Sequence, residues 1–111
     1  MPRITLKLSK TTGLGTLEFN GKKYDCSGKV GFNYPKDTTI DGTKEECHHS
    51  REFDVDMNWA VLWIWQKGVY IHEWSQLEGS AGCIHLLKDD AKEFYDSIKK
   101  EKTRIVFSWT D

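Results

Sequence analysis

A single cysteine set among small residues is the part of this sequence best suited to chemistry. The run Gly79-Ser80-Ala81-Gly82-Cys83-Ile84-His85-Leu86 places Cys83 after a Gly-rich turn and before an apolar pair. His72 lies upstream, at the end of Gly68-Val69-Tyr70-Ile71. A cysteine nucleophile works as thiolate, so it needs a base, backbone N–H groups to hold an oxyanion, and little bulk around sulfur. His72 and the Gly-rich frame of Cys83 can supply all three. Read from residues alone, this is Cys/His acyl transfer. The plainer readings are a buried structural cysteine and a satisfied core histidine.

The elements that must bring His72 to Cys83 read mainly as strands. Ile4 to Leu8 alternates apolar and polar, and Thr11-Thr12-Gly13 breaks the pattern. Thr16 to Phe19 and Lys22 to Cys26 flank Asn20-Gly21, a strong hairpin signal because both residues tolerate positive φ. The region from Ser27 to Asp56 lacks periodicity and reads as a long, partly ordered loop. Trp59 to Trp65 is apolar on both alternating faces, which predicts a central strand covered on both sides. Gln66-Lys67-Gly68 predicts a turn, and Val69 to His72 the returning strand. After the cysteine run, Asp89 or Asp90 is a candidate helix cap, with Glu93 completing a capping box from Asp90. Ala91, Phe94, Tyr95 and Ile98 then recur at helical spacing. Thr103 to Trp109 predicts a closing strand with Ile105, Phe107 and Trp109 on one face.

Composition excludes several function classes. The chain has 111 residues, enough for one domain, with 16 basic against 17 acidic residues and a net charge of −1. That balance draws it to neither nucleic acid nor a membrane surface. No secretory signal or spanning segment is expected, since the longest apolar run, Trp59 to Trp65, is far below the ~20 residues a bilayer requires. Three cysteines leave at least one unpaired; Cys26 and Cys47 could bridge, although two reduced thiols is the favoured reading. Cys47-His48-His49 invites a zinc-hydrolase reading, but adjacent residues rarely both ligate one ion, so no metal is expected. Tyr34, Trp59 and Trp74 are candidate groove aromatics, with core packing as the default for most of the tryptophans. Lys99-Lys100-Glu101-Lys102 reads as a solvated helix end.

Three blocks in order carry a family resemblance: Tyr70-Ile71-His72, then Ser80-Ala81-Gly82-Cys83-Ile84-His85-Leu86, then Asp90-Ala91-Lys92-Glu93-Phe94-Tyr95. Together they resemble the L,D-transpeptidase catalytic domain, or YkuD family. Its pattern is a strand-terminal histidine, a loop, Ser/Thr-x-Gly-Cys-Ile/Val-x-Leu/Met, and a short helix. The resemblance runs roughly from Trp59 to Ile98, with a weaker echo at Cys26-Ser27-Gly28-Lys29-Val30-Gly31. It implies a single catalytic domain over 1–111, mostly β with one main α-helix, built as a sandwich or barrel-like sheet. It implies Cys83 as nucleophile, His72 as base, and Glu73 orienting that histidine through its backbone carbonyl. The N–H groups of Gly82 and Cys83 would hold the oxyanion. Ser80, Ala81, His85, Trp74 and Tyr70 would lie beside the substrate. Many members carry His or Arg at the position of Ala81, Arg at that of His85, and a longer loop before Ser80. Those differences imply a compact, divergent member with altered specificity.

The function this resemblance implies is acyl transfer on peptidoglycan stem peptides without a cofactor. Terminal D-alanine leaves, and water or an amine takes the acyl group. A stand-alone domain without a signal resembles effectors that secretion machines deliver into a rival's periplasm, for which an immunity protein is the expected partner. The rival reading is an inert cell-wall or protein-binding module on the same fold.

Overall fold

The computed structural model describes residues 2–51, 54–77 and 80–111; Gly79, at the head of the cysteine run, lies outside them. Period-two alternation becomes a one-sided core. Strand β1 (Arg3–Ser9) buries Ile4, Leu6 and Leu8 completely, while its alternate residues face outward. β2 (Leu14–Phe19) and β3 (Lys22–Ser27) form the expected hairpin. Asn20 and Gly21 turn it with φ of +53° and +75°, both in the left-handed region a tight hairpin turn requires.

The segment expected to be loop contains two strands and the first two residues of a third. β4 (Asp37–Ile40), β5 (Lys44–Ser50) and the start of β6 (Val55–Ile64) all lie within or begin inside it. The correction has a physical cause. β4 and β5 end the strand order, so each pairs on one side only, and β5 reads Lys-Glu-Glu-Cys-His-His-Ser. An edge strand this polar carries no apolar alternation to detect. β6 is correspondingly next to the edge rather than central. It buries Ala60, Val61 and Trp63, while Leu62 and Ile64 stay partly exposed. Trp65 leaves the strand for a 3-10 turn (Trp65–Lys67) and is 72% exposed.

β7 (Val69–Glu73), β8 (Ile84–Leu86), helix α1 (Lys88–Ser97) and β9 (Thr103–Thr110) complete the chain. The described strands make one nine-stranded sheet in the order β4-β9-β1-β2-β3-β8-β7-β6-β5. Pairing is antiparallel except for β1 with β9 and β7 with β8. The sheet curls on itself into a half-barrel. Trp63 Nε1–H on β6 donates to Thr38 Oγ1 on β4 at 2.9 Å, joining strands near opposite ends of the order. α1 packs over β6, β7 and β8. It buries Ala91 and Phe94, and the Phe94 ring meets Phe19 and Tyr24 edge-on at 6.0 and 6.3 Å.

The cap of α1 differs from expectation. The helix opens at Lys88, one residue before Asp89 and two before Asp90, with Leu87 at the cap position and no side-chain cap bond. Glu93 is occupied instead by Tyr24, whose hydroxyl donates to Oε1 at 2.8 Å. A carboxylate held by a core-facing phenol cannot also turn back to the helix start. Asp89 and Asp90 still lie in the first turn, where the helix dipole favours anions. At the other end, Lys44 Nζ donates to the carbonyls of Tyr95 and Ile98 at 2.8 and 2.9 Å, tying β5 to the helix.

Candidate functional site

The parallel pairing of β7 with β8 assembles the site. Ile71 lies opposite Ile84 and His72 opposite His85. Both isoleucines are fully buried. Alternation therefore puts Tyr70, His72 and Trp74 on the other face, joined there by Cys83 and His85. All five line one groove of about 740 Å³. The far wall comes from the β5–β6 hairpin, with His48 and Met57, and from Phe32 and Asn33.

His72 is 2% exposed and its Nδ1–H donates to the Glu73 carbonyl at 2.7 Å. That bond fixes the tautomer and leaves the Nε2 lone pair as the basic atom. Burial holds its pKa below the ordinary histidine value; the Glu73 carbonyl opposes this and nearby His48 adds to it. The imidazole is therefore neutral near pH 7 and able to take a proton. Glu73 acts here through its backbone.

Cys83 sits at the head of β8. The Tyr70 N–H points at its Sγ from 3.4 Å, and the thiol faces the Gly68 carbonyl at 3.7 Å. The other two cysteines are free thiols elsewhere. Cys47 is exposed, while Cys26 is buried, and that burial pushes its thiol up to about 12. Neither lines the groove.

The loop entering Cys83 is braced from within. Ser80 Oγ donates to the Cys83 carbonyl and accepts the Gly82 N–H at 3.1 Å. The Gly82 amide, expected to hold an oxyanion, is thus engaged by Ser80, which leaves that expectation to the Cys83 amide. Gly82 adopts φ +141°, and a Cβ there would stand 3.0 Å from Phe32 Cε2. Glycine is required by backbone angle and by that ring. Ala81 is exposed on the groove rim.

His85 is 5% exposed, stacks on Trp74 at 5.2 Å and meets the His72 ring edge-on at 5.0 Å. Among the described residues, its Nδ1 is buried without a hydrogen-bond partner. Burial and the neighbouring His72 lower its pKa to about 4. Both histidines ionise more readily in the unfolded chain than in the folded one. The stability each contributes is complete above about pH 6.5 and falls as pH drops below it; for His85 the fall continues toward pH 4. For His85 alone the loss is on the order of 3 kcal/mol. His49 works in the opposite direction, because Asp56 and Asp54 raise its pKa, but it is exposed and solvent-screened. Thermal melts should show Tm falling between pH 6.5 and 4, and His85→Leu should flatten that fall. An equally steep fall in the variant would remove His85 as the cause.

Three residues had other readings from sequence. Trp59 packs against Tyr95 at 5.2 Å beneath Lys92, on the helix side rather than the groove. Tyr34 is buried in the core and does not line the groove. His48, considered only with zinc, instead stacks on Tyr70 at 4.4 Å, and its Nδ1–H donates to Glu45 at 2.6 Å. Cys47, His48 and His49 alternate sides of β5. Among the described residues no group of three or more His, Cys, Asp or Glu side chains is arranged to hold a metal. His48 lies on a polar edge strand without apolar alternation, so its place in the groove leaves no periodic signal in the sequence.

The family model for the L,D-transpeptidase catalytic domain, YkuD, matches residues 7–106. No curated sequence matches the chain. Among solved structures, an L,D-transpeptidase of Stackebrandtia nassauensis superposes with TM-score 0.72 at 19% identity. One from Mycobacterium smegmatis superposes with TM-score 0.68 at 24% identity. L,D-transpeptidase 3 of Mycobacterium tuberculosis, solved with a faropenem-derived adduct, superposes with TM-score 0.68 at 17% identity. Each covers 96% of this chain, which spans only 55%, 58% and 60% of theirs respectively.

Proposed function

Because the chain belongs to the L,D-transpeptidase catalytic-domain family, we propose that it performs cysteine-dependent acyl transfer on peptidoglycan stem peptides. The observation that carries this reading is a tautomer-fixed, buried imidazole on the same groove face as an accessible thiol. His72 Nε2 takes the Cys83 proton, and the thiolate attacks the carbonyl of the third stem residue. The tetrahedral oxyanion is held by the Cys83 amide. Collapse breaks the peptide C–N bond. D-alanine leaves with the proton carried by His72, and a thioester remains on Cys83. Water or an amine then attacks the thioester, His72 again taking the proton, and the thiol is released. Tyr70, Trp74, Ala81 and His85 flank the path of the peptide, while Ser80 shapes the loop. Hydrolysis makes this an L,D-carboxypeptidase; an amine acceptor makes it a transpeptidase or D-amino-acid exchanger. An antibacterial effector role, with an immunity protein covering the groove, would act through this same chemistry.

Purified protein incubated with tetrapeptide muropeptides should release D-alanine, or exchange it for an added D-amino acid. Cys83→Ala should lower the rate by about 10⁴-fold or more, to background. Binding of the muropeptide without turnover in the unsubstituted protein would replace this reading with the inert module.

A further inference from the structure

Tyr34 is a buried phenol whose hydroxyl joins two loops. It is 4% exposed, accepts the Lys29 N–H at 2.8 Å and donates to the Gly82 carbonyl at 2.6 Å. Its ring lies flat on Trp63, with centroids 5.4 Å apart and planes within 7°, and is flanked by Phe32 at 4.6 Å and Phe107 at 5.2 Å. Aromatic packing on several sides leaves the hydroxyl little room to move. Burial pushes the phenol up to about 12, so it stays a donor at neutral pH. Gly28 makes the space: a Cβ there would come within 2.8 Å of Tyr34 Oη and 2.6 Å of Leu8 Cδ1.

The Gly82 carbonyl belongs to the same peptide unit as the Cys83 N–H. That unit is planar and trans, so its C=O and N–H point in opposite directions. A donor that anchors the carbonyl on the core side therefore sets the direction of the N–H on the groove side. A glycine at φ +141° has unusual backbone freedom and would not hold this plane by itself.

We propose that Tyr34 is a positioning residue for the oxyanion site: its hydroxyl, anchored by the Lys29 amide, fixes the Gly82–Cys83 peptide plane and so aims the Cys83 N–H at the developing oxyanion. This rests on the acyl-transfer reading and adds to it a residue outside the groove lining. It also assigns work to the Ser27-Gly28-Lys29 turn, whose Gly28 admits the phenol and whose Lys29 amide steers it.

Two reagents separate oxyanion alignment from the state of the thiol. Acylation by a carbapenem passes through a tetrahedral oxyanion, whereas alkylation by iodoacetamide does not. Both can be read at Cys83 by peptide mass spectrometry, with circular dichroism reporting the fold. Tyr34→Phe should slow carbapenem acylation about 10- to 100-fold while alkylation stays within about twofold of wild type. On muropeptide, kcat should fall with KM little changed. Gly28→Ala, which crowds the hydroxyl without deleting it, should shift the two rates in the same sense and keeps the question answerable if Tyr34→Phe does not fold. Unchanged acylation in a folded variant overturns the role of Tyr34, as does an equal fall in both rates. Absence of acylation in the wild-type protein overturns the acyl-transfer reading, and this inference with it.

Discussion

His72→Gln is expected to lower kcat by about two to four orders of magnitude, the contribution of a positioned general base. Glutamine is close to histidine in size, and its amide can still donate to the Glu73 carbonyl, so the fold should persist with only a modest change in Tm. The decisive readout is the pH profile. In the wild-type protein kcat/KM should rise as His72 loses its proton, with an inflection below the ordinary histidine value because burial disfavours the imidazolium. In His72→Gln that acidic limb should vanish. A variant retaining more than a tenth of wild-type activity would move the base elsewhere. His48, which also lines the groove and stacks on Tyr70, would be the first place to look.

Gly82→Ala should damage stability and rate together. A backbone at φ +141° is strained for any residue with a Cβ, at a cost of about 1–3 kcal/mol. The new methyl would also stand 3.0 Å from Phe32 Cε2. For a domain of this size the strain corresponds to a Tm loss of about 5–20 °C. Turnover should fall about 100-fold or more, because relaxing the strain moves the peptide that carries the Cys83 amide. Adding Phe32→Ala removes the ring contact but not the backbone angle. The double variant should therefore recover little of the rate. A single variant that melts with wild type and turns over normally would show that residue 82 does not need its glycine conformation.

The fold was legible wherever apolar side chains alternate. β1, β2, β3, β7 and β9, the Asn20-Gly21 turn and the buried stripe of α1 all follow from local pattern, because each buries one face or one edge. Reading failed at β4 and β5, where exposed edge strands need no apolar alternation. It also failed at the helix start. A capping box is a local rule, and a tertiary hydrogen bond from Tyr24 to Glu93 displaced it.

The site divides along the same line. Which residues could do the chemistry is legible from their types and places in the chain. Cys83 and His72 are named by type, and by their places at the head of one strand and near the end of another. How they are held depends on packing between distant segments. The parallel register of β7 and β8 puts both on the groove face. The Glu73 carbonyl selects the imidazole tautomer. Ser80 claims the Gly82 amide. Tyr34, distant in sequence, grips the Gly82 carbonyl. The difference is one of range. Side-chain chemistry and strand periodicity are properties of neighbouring residues. The direction of a single N–H depends on hydrogen bonds that close only when distant segments pack together.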